Sequence, residues 1–343
     1  MIDVVEYKDS HVESWSDYVE RSPDSTIAHQ IGWRRVMEIG LGHKPHYFVA
    51  FEGCQVKGIL PLFEIRTWWR SRFLVSLPWI DYGGICADSL EVEKSLLEAA
   101  QGVCHEINAE FIEMRSINPG SLGLAIKEDK VTFLLKLETD SQAVWKGFDP
   151  KLRNLIRKAQ KANLTTELSG ANELRSFYKV FAYNMRDLGT PVWGLKFFQA
   201  IMEEFKDSAR LILVKKDGQV IAGGLVLAFK DRLYVPSASA YRAALQYAPN
   251  YALYWAVIKD GCQGGYRYFD FGRSSWNSNT FNFKKQWVAE PVQLNWQYHL
   301  YRRKGLPEVN PSNPKYRLMI SLWQKLPLSV ANFLGPKVIR NFP

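Results

Sequence analysis

The sequence predicts an α/β (α+β) protein of two tandem domains of one design, each a mixed sheet flanked by helices. Three observations carry this. A chain of 343 residues is long enough for two ordinary domains. Hydrophobic residues make up 47% of it and aromatics 14%, a payload that disordered chains lack. The order of predicted elements in the first half also recurs in the second at a nearly constant offset. Phe197 and Ile201 stand 164 residues after Trp33 and Met37, and Gln219-Val220 stands 164 residues after Gln55-Val56. The predicted divisions are 1–145, then 146–300 with a basic linking helix, then a tail over 301–343.

To about Leu41 the chain is predicted helical in two pieces. Trp33, Val36, Met37 and Gly40 fall at helical spacing, with Gly40 and Gly42 as stops. Tyr47–Phe51 and Val56–Phe63 are apolar strands turned at Gly53, a hairpin pattern. Phe73–Leu77 is a strand that runs out into Pro78-Trp79-Ile80-Asp81-Tyr82-Gly83-Gly84. A helix over Glu91–Ile107 and strands over Phe111–Arg115 and Val131–Leu137 follow. In the second set the helix is Leu195–Phe205, and the hairpin is Leu211–Lys215 with Val220–Phe229 around Asp217-Gly218. Helix Tyr251–Cys262 and strand Tyr266–Phe271 come next. The two matching strands run into Arg115-Ser116 and Arg273-Ser274.

Between the sets, Asp149-Pro150 is a helix start, and Lys151–Lys161 follows it. Leu152, Leu155, Ile156 and Ala159 share an arc of roughly 100°, the width of a core-facing stripe. Arg153, Arg157 and Lys161 lie on the other side without compensating acids. That face is either solvated or a seat for an anion that relieves its repulsion. Glu173–Leu188 is a helix from Asn172 to the stop Gly189-Thr190-Pro191. Asn184, Arg186 and Asp187 near its end either line a cleft or, for the two charges, pair with each other. In the tail, Pro307, Pro311 and Pro314 precede a helix around Tyr316–Gln324. Its Leu318, Met319, Leu322 and Trp323 form an apolar face that either lies at a membrane surface or packs on the first domain.

Lys+Arg exceed Asp+Glu by 44 to 35, which favours an acidic partner: a phosphorylated substrate, RNA or an anionic membrane face. No RNA-binding signature accompanies that charge. Cys54, Cys86, Cys104 and Cys262 are scattered without a CxxC pair, so reduced buried thiols are expected and no metal site. The start, MIDVVEYKDS, has no signal-peptide pattern, and a cytoplasmic protein is expected.

The stretch Tyr266–Trp296 is the chemical focus. Past its first strand it presents Arg273, then polar residues around Trp276, then Lys284 between aromatic positions. A cation past a strand end suits an anionic ligand or developing negative charge; a basic surface loop over buried aromatics is the other reading. Asp81 and Asp270 stand as candidate proton acceptors or as structural hydrogen-bond acceptors.

Five stretches together resemble the FemAB-like transferases, a tandem pair of GNAT-type acyltransferase domains. They are SLPWIDYGG (Ser76–Gly84), KLRNLIRKAQKANL (Lys151–Leu164), NMRDLGTP (Asn184–Pro191), FDFGRS (Phe269–Ser274) and FNFKKQWVAEP (Phe281–Pro291). NPSNPKYRL (Asn310–Leu318) and WQKLP (Trp323–Pro327) resemble the tail of the branch associated with exosortase (PEP-CTERM) exopolysaccharide loci. The resemblance implies amide formation on a cell-envelope precursor, a peptidoglycan or exopolysaccharide unit. The acceptor would be an anionic nucleotide- or lipid-linked saccharide. No resident cofactor is implied, and the donor would be aminoacyl-tRNA or an acyl thioester. It implies charge stabilisation by Lys284, with Asp270 and Asp81 as the further catalytic candidates. Arg273, Arg153, Arg157, Tyr82, Asn184, Arg186 and Asp187 would bind substrate, and Asn250 with Tyr251 would meet the donor. Apart from the resemblance, the apolar face of the tail helix makes peripheral contact with the inner membrane face one of the two expectations for the tail.

Three departures accompany the match. Ser275 and Trp276-Asn277-Ser278-Asn279 replace a lysine and a Gly-Thr-Gly-like turn, which also suits a non-catalytic binding module. No heptad-patterned arm is present. Tyr247-Ala248-Pro249-Asn250 stands where a GNAT pyrophosphate loop is expected, although the helix start after it retains free N–H groups.

Overall fold

The computed structural model describes residues 1–307 and 314–342; the tail residues Asn310, Pro311, Ser312 and Asn313 lie outside them. In chain order the first elements are β1 (Ile2–Glu6), α1 (Val12–Arg21), α2 (Gly32–Leu41), β2 (Lys44–Glu52), β3 (Gln55–Arg66), β4 (Arg72–Val75), β5 (Cys86–Ala87), α3 (Leu90–Glu106) and β6 (Phe111–Ser116). Then come β7 (Ala125–Lys136), α4 (Ser141–Gly147), α5 (Pro150–Lys161), β8 (Thr165–Ser169), α6 (Leu174–Leu188), α7 (Leu195–Glu204), β9 (Ala209–Lys216), β10 (Gln219–Phe229) and β11 (Arg232–Ala240). The last are α8 (Pro249–Gln263), β12 (Tyr268–Asp270), β13 (Ser274–Ser275), α9 (Asn279–Lys285), β14 (Glu290–Leu300), α10 (Pro314–Gln324) and α11 (Leu328–Ile339).

The chain divides into two compact units, residues 1–130 with 293–307 and 338–342, and residues 131–292 with 314–337. In the first unit the strand order is β1-β2-β3-β4-β6-β14, with β4 and β6 parallel and the other neighbours antiparallel. The apolar face of α3, Val92, Leu96, Ala100 and Cys104, packs on Phe48, Leu60, Leu74 and Ile112. Gly58 permits that approach, since a Cβ there would stand 2.6 Å from Val92 Cγ1.

In the second unit the order is β8-β9-β10-β11-β12-β7, again with one parallel pair, β11 and β12. Helix α8 takes the place of α3, and its Leu253, Val257, Ile258 and Cys262 share a core with Phe133, Leu233 and Phe269. The predicted repeat is therefore physical, because the two sheets have the same order and the same parallel step.

Two boundaries differ from expectation. The closing strand of the first unit is β14, which pairs with β6 from Leu300↔Phe111 to Asn295↔Ser116. The second unit closes on Leu134–Lys136 of β7, paired with β12. Each unit is thus completed by a strand from across the predicted boundary, because an alternating apolar strand shows that it will be buried but not on which edge.

The tail divides: residues 301–307 and 338–342 belong to the first unit, as expected of the tail, whereas residues 314–337 belong to the second. Gln324 donates to the Asp187 carbonyl at 3.0 Å, and Arg186 donates to the Leu326 carbonyl at 3.3 Å. Gly189 ends α6 with φ 74° and leaves room for Ile320, which would clash with any Cβ. Cys86, Cys104 and Cys262 are buried, but Cys54 is exposed. Among the described residues no helix is long and apolar enough to cross a membrane, and no cluster of three or more His, Cys, Asp or Glu side chains is placed to hold a metal.

Candidate active site

In the second unit a groove of about 940 Å³ opens just past the C-terminal end of β11. One wall is α6. Lys179, Tyr183, Arg186 and Asp187 recur there at i, i+4, i+7 and i+8, so they form one stripe opposite the buried Phe177 and Phe181. The other wall is the segment from Tyr241 to Tyr247, which opens with Tyr241 bonded through its N–H to the Ile221 carbonyl at 3.0 Å. Asn184 ties the two walls, donating to Ser239 of β11 at 3.1 Å.

Three cations face one carboxylate in this groove. Lys179 and Arg242 are exposed. Arg186 is half-buried and committed, donating to Asp187 Oδ1 at 2.7 Å with its guanidinium 5.4 Å from the Tyr183 ring. The rings of Tyr183 and Tyr241 meet edge to face at 5.5 Å. Burial, with Tyr183 adding to it, raises the Tyr241 hydroxyl above the ordinary tyrosine range. It therefore stays a hydrogen-bond donor at neutral pH. The groove combines surplus positive charge with the Tyr241 hydroxyl, a set suited to phosphate or to an oxygen gaining charge.

The second wall of the groove lies in the chain between β11 and α8, the helix that leads to β12, the parallel partner of β11. Residues 148–285 match the acetyltransferase (GNAT) domain. The whole groove lies inside that match. Solved structures extend the likeness over both units. FemX shares 12% identity at TM-score 0.68, over 93% of this chain and all of its own. The C-terminal domain of a putative lysylphosphatidylglycerol synthetase from Agrobacterium fabrum shares 15% identity at TM-score 0.57, over 84% of this chain and 91% of that one. A tandem GNAT protein from the clavulanic acid biosynthesis pathway shares 11% at TM-score 0.53, over 87% and 97%. At such identities the likeness establishes the fold, which is the GNAT fold in tandem. No curated protein sequence matches the chain.

Within the GNAT domain the predicted residues scatter. Arg186 and Asp187 line the groove, and Asn184 braces it. Lys284 does not line it. It sits on α9, only 7% exposed, and its ammonium donates to the carbonyls of Gly272 at 2.7 Å and Arg273 at 2.8 Å. Through these two bonds Lys284 closes the turn after β12. Asp270 belongs to the same turn. Its Oδ1 accepts from Thr132 at 2.6 Å and from the Gly272 N–H at 2.8 Å, with Arg232 at 3.9 Å from the other oxygen. Arg273, half-buried, contributes its carbonyl to Lys284. The departing residues Ser275–Asn279 have a local role, because Ser278 caps α9 by accepting from the Phe281 N–H at 3.1 Å.

Asn250 and Tyr251 sit at the start of α8, where the preceding Ala248 has φ 57°. Asn250 Oδ1 is buried without a hydrogen-bond partner among the described residues, and Tyr251 donates to Gln286 at 3.2 Å. On α5, Arg153 has a buried Nε likewise without a partner, while Arg157 is exposed, donating to Asn154 and lying 5.4 Å from the Trp145 ring.

Asp81 and Tyr82 are in the first unit, outside the matched residues 148–285. Both are buried in the loop after β4, where the Asp81 carbonyl accepts from Trp296 Nε1 at 3.1 Å and Tyr82 packs with Leu294, Trp296 and Tyr298. That loop wraps Arg115, which donates to Glu113 and to the Ile80 carbonyl, both at 2.8 Å, beneath the Trp296 ring. Sequence reading missed Lys179, Tyr183, Tyr241 and Arg242. The α6 stripe carried a readable signal in its helical spacing; Tyr241 and Arg242 carried none, since their placement depends on the end of β11.

Proposed function

We propose that the protein is an acyltransferase that joins an acyl or aminoacyl group to an amine on an anionic cell-envelope precursor. The donor is an activated ester or thioester, such as aminoacyl-tRNA or an acyl thioester. The observation that carries this is the cationic, tyrosine-walled groove at the end of β11, wholly inside the GNAT-domain match. The fold shared with FemX and with the lysylphosphatidylglycerol synthetase domain supports the envelope setting.

The chemistry needs no covalent enzyme intermediate. The amine attacks the acyl carbon, a C–N bond forms, and the carbonyl oxygen gains negative charge. Collapse breaks the C–O or C–S bond, and the proton lost by the amine ends on the leaving alcohol or thiol. The Tyr241 hydroxyl is our candidate donor to the charged oxygen, and Lys179 with Arg242 hold the anionic part of a substrate. Lys284 and Asp270 act on this groove as positioning residues, through the turn after β12.

The test incubates the purified protein with acyl-CoA and aminoacyl-tRNA pools and an envelope-precursor extract, with products read by mass spectrometry. An amide product is expected. The K179E/R242E variant is expected to raise KM by about tenfold or more with little change in kcat, the mark of lost binding charge. Precursor bound tightly with no product from any donor would replace this reading with a non-catalytic binding module.

A further inference from the structure

The C-terminal helices expose more apolar surface than a helical pair at the edge of a unit requires. On α10, Leu318, Met319 and Leu322 are 63, 61 and 57% exposed, on the face opposite the Ile320 and Gln324 contacts with the end of α6. On α11, Ala331 and Gly335 are buried, and Gly335 lies against Val192 so closely that a Cβ would meet its backbone at 2.8 Å. The opposite stripe of α11, Val330, Phe333 and Leu334, is exposed, with Phe333 at 64%. Each stripe continues to a lysine one further turn along, Lys325 after Leu322 and Lys337 after Phe333. Lys337 Nζ lies 3.8 Å from the Phe333 ring centroid.

The charge around these stripes has one sign. From position 309 to the end the sequence holds five basic residues, Lys315, Arg317, Lys325, Lys337 and Arg340, and no Asp or Glu.

We propose that this C-terminal surface docks on an anionic lipid bilayer. Apolar stripes ending in lysines, without acids, match a bilayer boundary where acyl chains lie beneath anionic headgroups. A segment with five basic residues and no Asp or Glu favours anionic headgroups over a protein partner of ordinary surface composition. The proposal stands apart from the acyltransferase reading, because binding is measured with no donor or acceptor present.

The experiment is co-sedimentation of the full chain with vesicles of phosphatidylglycerol and phosphatidylcholine, against vesicles of phosphatidylcholine alone. Retention is expected on the anionic vesicles and little on the neutral ones. The L322E/F333E variant is expected to lose about tenfold or more in partitioning, and K325E/K337E to lose a similar amount on anionic vesicles only. Thermal unfolding of each variant checks the fold, and L322S/F333S replaces the first should it fail to fold. Failure of the wild type to bind anionic vesicles, or equal binding by folded variants, overturns the proposal. So does a dimer on size exclusion that L322E/F333E breaks without any vesicle binding, which would make the surface a self-association face.

Discussion

His43 illustrates how a single buried group sets the conditions under which the fold holds. It is 4% exposed, and its Nε2 has no partner among the described residues. Burial, with Arg340 nearby, pushes its imidazole down from the ordinary 6.5 to about 4. Above pH 6.5 the folded and unfolded chains both hold the ring neutral, so the full stability is present. As pH falls below that value the unfolded chain takes up a proton that the folded chain refuses until about pH 4, and stability is lost across that window. Between about pH 7.5 and about pH 5 the loss from this group is roughly 2 kcal/mol. Burial also lowers His46 and His299, which act in the same direction. Urea unfolding at the two pH values is expected to show the loss, and H43Q to show roughly 1–2 kcal/mol less of it. An unchanged loss in H43Q would assign the pH dependence elsewhere. The same distinction explains which site residues were legible. Arg186 and Asp187 were readable as a charged pair or as cleft residues because they fall at the C-terminal end of one predicted helix, and the structure makes them both. Lys284 was readable as a cation past a strand end, but its orientation depends on the Gly272 and Arg273 carbonyls, which a long-range turn brings to it.

At the scale of elements, periodicity carried the reading well where one face is buried. The predicted helix Lys151–Lys161 is α5 with one residue added, and its Leu152, Ile156 and Ala159 are buried. The hairpin that opens at Gln55 and its counterpart at Gln219 are the antiparallel pairs β2–β3 and β9–β10. Helix α9 was not legible, because it is short and its start rests on the Ser278 cap rather than on an apolar repeat. Helix α11 was missed for a related reason. Its sequence holds Pro336 and Gly335, both of which argue against a helix. Gly335 is required there, since the Val192 N and O would stand 2.8 and 2.9 Å from any Cβ. The backbone cannot yield as a side-chain end can, so G335A is expected to lift α11 from its seat at a cost of roughly 1–3 kcal/mol. Hydrogen exchange is the readout: protection is expected to fall across α11 while α8 keeps its own. Equal protection in both proteins would mean that the Val192 segment yields.

At the scale of the molecule, the decisive feature is that each unit borrows its closing strand, which a repeat of element order does not reveal. Without β14 the first unit would lose Leu294, Trp296 and Tyr298 from the core that also holds Ile65, Phe73 and Phe111. It would also lose the partners of a buried ion pair. Arg115 and Glu113 are 1% and 3% exposed, 2.8 Å apart, with Trp296 over the guanidinium and the Tyr298 hydroxyl donating to Glu113 at 2.8 Å. A buried ion pair stripped of its packing and hydrogen bonds is costly, by several kcal/mol where a partner is lost. The bare edge of β6 would in addition be open to pairing with other chains. A fragment ending at residue 130 is therefore expected not to fold, and to aggregate on refolding from urea. Supplying residues 286–307 as a separate peptide is expected to restore dispersed, folded material, read by circular dichroism and light scattering. Residues 131–136 of β7 close the second unit in the same way, along β12. A fragment 1–130 that folds alone would show that β14 closes the first sheet without governing its stability.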